Sequence, residues 1–500
     1  MPEREFPRHY IILPLAALIA ILPLILRGCS CGHDFDFHII SWFEAAHQFT
    51  HGNLHPHWAY TAAWNAGEPR FIFYPPISWT IGALLGLIMP WTWTPIAYTW
   101  LALTAAGLNL YYLAKTFTTK NAALLAAAFY IVNPYMLYTA YERTAYAELL
   151  AAAWVPLLLH AILRKEVSIP RIAIPIALLW LTNAPAAVMS CYALVLLTLI
   201  RIATNPGEYR AKLDRLQPDA PYLDSEMWAS RESATAFTRI AVKTTIGTTL
   251  GLALAAFYIL PAAYERRYVQ ITMAILPGLT PQDNFLFHRL GDPDHDGVLR
   301  TASIVATILI ALTAIALIIN ALQRNKTRRL LLPLTILTAT ISLLLLPISA
   351  PIWHYLPELR FLQFPWRLLA ILAPALSLAI ALALSPLNLK PAATALLSLT
   401  IAAALTLPAY HFFHQRCYPE DTIPSRLAVF QSVNPGTDPT DEYTPVNTNN
   451  DILAIANPPF WLSTNPVAPA PTESTPGSAP THLTINSPIP QTLILNLRNY

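Results

Sequence analysis

Apolar residues fall in long runs along this chain, and polar residues collect between them. Runs at 10–26, 95–115, 122–138, 148–163, 172–183, 185–201, 241–260, 301–320, 330–349, 367–386 and 391–409 read as helices able to cross a hydrocarbon core. Eleven transmembrane crossings are predicted. A further apolar stretch, PPISWTIGALLGLIMPW at 75–91, is predicted to lie in or dip into the outer leaflet, because a crossing there would invert the topology of everything after it. The runs 172–183 and 185–201, broken at TNAP, are too short for two upright spans; broken helices of this kind line cavities. The fold class expected is therefore an all-α polytopic membrane protein. Its transmembrane module covers 1–410 with a first external loop at 27–94, and an extracytoplasmic tail follows at 411–500.

Lysine sets the orientation. With an N-terminus carrying Arg4 and Arg8 in the cytoplasm, alternation puts Lys115, Lys120, Lys165, Lys212, Lys243, Lys326 and Lys390, every lysine in the chain, on the cytoplasmic side. The tail then lies outside a plasma or inner membrane. The first run resembles a signal peptide in length, but no small residues precede Cys29 and Arg27 follows at once, so it reads as a retained helix. The tail is rich in Pro, Thr, Ser and Asn, with β-like stretches THLTI and TLILNL, and reads as an incomplete β domain. The cytoplasmic stretch 202–240 reads as an interfacial helix or a connector.

Composition agrees with that class: 55% of residues are hydrophobic and 12% charged, and mean hydropathy is +0.44. A net charge of +3 with dispersed basic residues excludes a tract for nucleic acid, and neither GxxxxGK nor GxGxxG occurs. Four cysteines fit neither a disulfide scaffold nor a zinc site, although Cys29 or Cys31 could bridge to Cys417, all three lying outside the cytoplasm.

Candidate chemistry concentrates in the predicted outer loops. In GHDFDFHII (32–40), Asp34 and Asp36 alternate with Phe35 and Phe37, so an extended strand would point both acids one way, whereas a helix would separate them. Either acid could instead cap the next helix. Arginines stand beside acids in YERTAYAE (Arg143, with Glu142 and Glu148), YERRY (Arg266, Arg267) and ELRFLQFPWR (Arg360, Arg367). A guanidinium fork suits phosphate and keeps its charge when desolvated; the alternative is that these arginines are snorkelling anchors paired with Glu142, Glu265 and Glu358. GDPDHDG (291–297) carries Asp292, Asp294 and Asp296 in the alternation of a calcium loop, with Ser303 where that loop needs Glu. His33, His38, His47, His51, His55 and His57 crowd the first loop without a metal-ligand spacing. A divalent cation is open to Asp34, Asp36 or Glu142, and no cofactor is required by the sequence.

Together, GHDFDFH, GEPRFIFYPP (67–76), YERTAYAE (141–148) and LRFLQFPWR (359–367) resemble the membrane proteins labelled 6-pyruvoyl-tetrahydropterin synthase-related, whose plan is similar to the GT-C glycosyltransferases. The resemblance covers about 10–410 and extends through DEYTP (441–445) into the tail. It implies an enzyme that transfers a sugar, with inversion, from a polyprenyl-phosphate donor to an extracytoplasmic glycan, lipid or protein acceptor of the cell envelope. It further implies Asp34 as general base with Asp36 as competitor, and Glu142, Arg143, Glu148, Arg367, His38 and Tyr74 around the substrate. Two rival functions remain: a proton-coupled transporter or lipid-linked substrate flippase, and a non-catalytic envelope assembly scaffold. The absence of half-to-half similarity, and the clustering of acids in outer loops, weigh against the transporter.

Overall fold

Proline and asparagine divide the apolar runs into more helices than crossings. The computed structural model describes residues 8–216, 222–323, 328–432, 435–450, 460–464 and 484–495. Its helices are α1 (His9–Arg27), α2 (Phe35–Thr50), α3 (Arg70–Phe73), α4 (Pro76–Ile88), α5 (Thr94–Ala114), α6 (Lys120–Val132), α7 (Pro134–Tyr141), α8 (Tyr146–Ala151), α9 (Val155–Leu163) and α10 (Ile169–Thr182). They continue as α11 (Ala184–Leu216), α12 (Tyr222–Leu254), α13 (Ala256–Glu265), α14 (Pro293–Leu322), α15 (Arg328–Leu344), α16 (Ala350–Tyr355), α17 (Leu369–Leu384), α18 (Pro391–Phe413) and α19 (Ile423–Phe430). Of the tail's two expected β-like stretches, Thr492–Leu495 forms strand β2, paired antiparallel with β1 (Phe460–Ser463), while 481–483 and 496–497 lie outside the described residues.

Among the described residues, seven helical segments are long and apolar enough to cross a membrane, and nine if two bent pairs each count as one span. This is an integral membrane protein. The predicted count of eleven is not reached by length and composition. The run 172–183 folds as α10, whose 14 residues span only about 21 Å against a hydrocarbon core of about 30 Å. The run 95–115 folds as α5 but is not apolar enough to be counted. The stretch 75–91 folds as α4, 13 residues long, again too short to cross upright. The bent pairs break by 74° within 238–268 and by 93° within 329–355.

Breaks occur where the sequence supplies a new helix start. Asn133 ends α6 and accepts hydrogen bonds from the N–H groups of Tyr135 and Met136, so α7 begins at Pro134 after a single residue. Asn183 does the same between α10 and α11, accepting from Ala186 N at 2.9 Å. Each restart redirects the chain without leaving its amides unpaired, which an apolar surrounding would punish.

The two ends of the bundle are chemically distinct. At one end the His9 ring stacks on Tyr111 at 4.2 Å, Thr116 Oγ1 lies 3.1 Å from His160 Nε2, and Asn121 donates to Leu389 O at 2.6 Å. Lys115, Lys120 and Lys390 belong to these same turns. At the other end the chain leaving α1 meets the turn after α7, with Ser30 Oγ donating to Tyr141 O at 2.6 Å, and a Cys31–Cys417 disulfide joins it to the chain leaving α18.

Candidate functional site

A cavity of about 620 Å³ opens at this second end. Its wall is assembled from breaks: the start of α2, the α3–α4 corner, the α7–α8 turn, the α10–α11 break at Asn183–Pro185, the end of α13, the loop before α17, and residues 440–443 of the tail.

The first wall is two backbones laid together. His33 N donates to Glu142 O at 3.2 Å and Asp34 N to Arg143 O at 2.9 Å, so GHD is strapped to YERT along the main chain. Gly32 makes the approach feasible, since a Cβ there would fall 2.0 Å from Glu142 O. Thr144, at φ 48°, turns the chain in the left-handed region and sends it into α8.

Four charged groups meet at this contact. Arg143 Nη2 lies 3.8 Å from Asp34 Oδ2 and Nη1 lies 2.8 Å from Glu148 Oε2, while Arg367 Nε lies 3.7 Å from the same Glu148 oxygen. The Tyr135 hydroxyl donates to the other oxygen of Glu148. Arg367 Nη1 also donates to Leu362 O at 3.0 Å, and the Arg143 guanidinium lies over the Trp366 ring at 4.7 Å. Exposure separates the two acids: the Glu148 side chain is 3% exposed and the Asp34 side chain 42%. Glu148 is therefore an internal counterion for two arginines, and Asp34 is the carboxylate presented to the cavity. Arg143 Nη1 and Arg367 Nε, both buried, make no aligned hydrogen bond.

The remaining predicted residues fall into two groups. His38 is 2% exposed and packed against the rings of Tyr74 and Tyr146 at 5.8 and 5.3 Å; burial pushes its pKa down to about 4, so it lines the cavity as a neutral imidazole. Tyr74 lines the cavity edge-on to Phe37 at 4.8 Å. Glu142 does not line the cavity. It is buried behind the turn, and desolvation raises its pKa to about 7.

Asp36 also lies elsewhere. The chain turns helical at Phe35, so Asp34 and Asp36 diverge rather than sharing a face, and Asp36 forms an ion pair with Arg426 of α19, Nε–Oδ1 being 3.1 Å. Asp34 occupies the position before α2 but makes no side-chain cap. The calcium loop is corrected too: α14 begins at Pro293, so Asp292, Asp294 and Asp296 wind onto a helical turn instead of alternating around an ion. Asp292 caps Asp294 N at 3.0 Å and Asp296 accepts from Leu290 N at 2.8 Å. Among the described residues no three His, Cys, Asp or Glu side chains converge in a way that could hold a metal ion, and Asp34, Asp36 and Glu142 are drawn apart, to the cavity, to Arg426 and behind the turn. Arg266 is paired with Glu358 at 3.0 Å, and Arg143 with Glu148 and Asp34.

Sequence reasoning missed the contribution of the tail. Glu68 of GEPRF is fully buried, pairs with Arg70 Nε at 2.7 Å, and accepts from both Thr440 N and Thr440 Oγ1 at 2.9 Å. Further along, Gln270 N donates to Thr444 O at 2.8 Å. Held at both sides, Glu442 and Tyr443 enter the cavity wall, where Tyr443 stacks on Phe73 with ring centroids 5.4 Å apart. DEYTP was visible as a motif, but nothing in its spacing tied it to a loop some 370 residues earlier.

The chain matches no family model and no curated protein. Among solved structures it is similar to the Archaeoglobus fulgidus oligosaccharyltransferase, in complex with Zn and sulfate (TM-score 0.42, 17% identity, 82% of this chain and 54% of that one) and in the apo form (0.41, 15%, 87% and 59%). It is also similar to ArnT from Cupriavidus metallidurans bound to undecaprenyl phosphate (0.23, 12%, 86% and 89%). This chain spans little more than half the length of the oligosaccharyltransferase chains. The 6-pyruvoyl-tetrahydropterin synthase-related label rests on motifs alone, with no family model behind it.

Proposed function

We propose that the protein is a membrane glycosyltransferase that moves a sugar from a polyprenyl-phosphate donor to an acceptor hydroxyl on the extracytoplasmic side, with inversion. The donor class comes from the GT-C resemblance of the motifs, and the chemistry from the cavity. The observation that carries it is the exposed Asp34 carboxylate 3.8 Å from Arg143, itself beside Arg367 over one buried glutamate.

Asp34 takes the proton from the acceptor hydroxyl as its oxygen bonds to the anomeric carbon. The bond from that carbon to the phosphate oxygen breaks on the opposite face, and its electron pair leaves with the phosphate. Arg143 and Arg367 meet the charge that grows on the departing phosphate, and Glu148 holds both forks in place beforehand. Lysines at the far end favour this end as the outer one, and a Cys31–Cys417 disulfide suits an oxidising compartment.

The test supplies membranes with labelled polyprenyl-phosphate sugars and compares wild type with Asp34→Asn. Transfer that falls by about 10²–10⁴ at normal expression supports the assignment. Unchanged transfer removes Asp34 as the base, and translocation of intact donor without bond cleavage points to a carrier.

A further inference from the structure

The charges around the cavity are not fully matched. Arg143 and Arg367 are taken up by Glu148 and Asp34, and Arg266 by Glu358. Glu442, which lines the same cavity from the tail, has no hydrogen bond or ion pair to any other side chain among the described residues. Its charged surroundings are the like charges of Glu68 and Asp441 set against Arg70, whose Nε is already held by Glu68 at 2.7 Å. Burial raises its pKa from the ordinary carboxyl value.

This carboxylate is nonetheless rigidly delivered. Thr440 is fixed by two hydrogen bonds to Glu68 two residues before it, and the Thr444 carbonyl by Gln270 two residues after it. Next to it, Tyr443 and Phe73 form a stacked aromatic pair tilted by 20°, and both line the cavity. A carboxylate bonded to its own backbone but to no other side chain, beside an aromatic pair, answers one chemistry well: a ring carrying adjacent hydroxyls, which donate to the carboxylate oxygens while its C–H face lies on the aromatics.

We propose that Glu442 is the specificity-determining residue of this site, reading adjacent hydroxyls of a sugar ring held against Tyr443 and Phe73. The inference rests on the glycosyltransferase reading above and adds to it a second carboxylate with a binding role, brought by a segment outside the helical module. Asp34 acts on the bond being made; Glu442 acts on which ring is accepted. The hydroxyls could belong to the donor sugar or to a sugar acceptor, and the experiment separates the two.

Purified protein is titrated with polyprenyl phosphate, with polyprenyl-phosphate glucose and with its 2-deoxy and 4-epimeric counterparts, for wild type, Glu442→Gln and Glu442→Asp. Transfer from the glucose donor to methyl glucoside is followed in parallel, and thermal unfolding confirms that each variant is folded. If the ring is the donor's, wild type binds the sugar-bearing lipid more tightly than bare polyprenyl phosphate and discriminates between the three sugars. Glu442→Gln then loses about 10- to 100-fold of that preference, with binding of bare polyprenyl phosphate unchanged, and Glu442→Asp restores part of it. If the ring is the acceptor's, donor binding is unchanged and the KM for methyl glucoside rises by a similar factor. Wild-type lipid binding with neither change in Glu442→Gln overturns this inference alone. Failure of wild type to bind any of the lipids overturns the glycosyltransferase reading, and this inference with it.

Discussion

Gly32 faces the carbonyl of Glu142 with no room for a side chain: a Cβ on it would lie 2.0 Å from that oxygen and 3.0 Å from the Thr144 hydroxyl. The contact is between two backbones, so no rotamer change relieves it. Gly32→Ala is expected to push the GHD segment off the YERT turn, lowering stability by about 1–3 kcal/mol and moving Asp34 away from Arg143. Thermal unfolding and the transfer assay should fall together. A variant of normal stability and activity would show that the two strands need not touch.

Glu148 is shared by two arginines at a position that water barely reaches. Glu148→Gln removes the counterion and leaves two adjacent guanidinium groups in a buried setting, a change expected to cost about 3–5 kcal/mol. Unfolding in detergent is expected at a markedly lower temperature than in wild type, and phosphate-competitor binding should change with it.

Asp36 and Asp34 are two residues apart and should respond differently. Asp36→Asn breaks the tie to Arg426, a pair whose side chains are 39% and 27% exposed, so solvent screening limits the loss to about 1 kcal/mol or less. Transfer is expected to persist in Asp36→Asn and to collapse in Asp34→Asn. The reverse pattern, measured in the same membranes, would exchange their assignments.

Glu142 gives the protein a pH signature. Burial raises its pKa from 4.5 to about 7, so between those values the folded chain holds a proton that the unfolded chain has released. Stability from this group is therefore greatest at low pH and declines as pH rises from about 4.5 to about 7, by up to about 3 kcal/mol in total. Unfolding temperatures of wild type and Glu142→Gln, compared across that range, should draw apart as pH rises, with the variant becoming the more stable.

The Cys31–Cys417 bond closes a loop of 386 residues in sequence separation and holds the segment beside Asp34 to the tail. Cys417→Ser is expected to lose about 2–5 kcal/mol of apparent stability and to loosen substrate binding, read as a raised KM. Reductant should reproduce both effects in wild type and neither in the variant.

How far these features could be read from the sequence depended on how local their causes are. The apolar runs were legible because each carries its own periodicity and length, and the α10–α11 break was legible because TNAP interrupts it; that break does line the cavity. Asp34, Arg143, Glu148, Arg367, His38 and Tyr74 all reach one cavity, since each motif marks a helix break at the same end. The divergence of Asp36 depended on whether the helix began before or after it, a matter of two residues. Asp292, Asp294 and Asp296 failed similarly, because Pro293 opens a helix in the middle of a pattern that needs a loop. Glu442 and the Glu68–Thr440 tie had no local cause to read.

Because Thr440, Glu442 and Tyr443 line the same cavity as Asp34, that cavity is assembled from parts that a ribosome delivers some 400 residues apart, roughly 20–80 s at ordinary elongation rates. Through that interval the nascent chain carries Asp34 without the stretch of wall that Thr440, Glu442 and Tyr443 supply. Biogenesis therefore finishes this cavity last, after every helix among the described residues that is long and apolar enough to cross the membrane has been made.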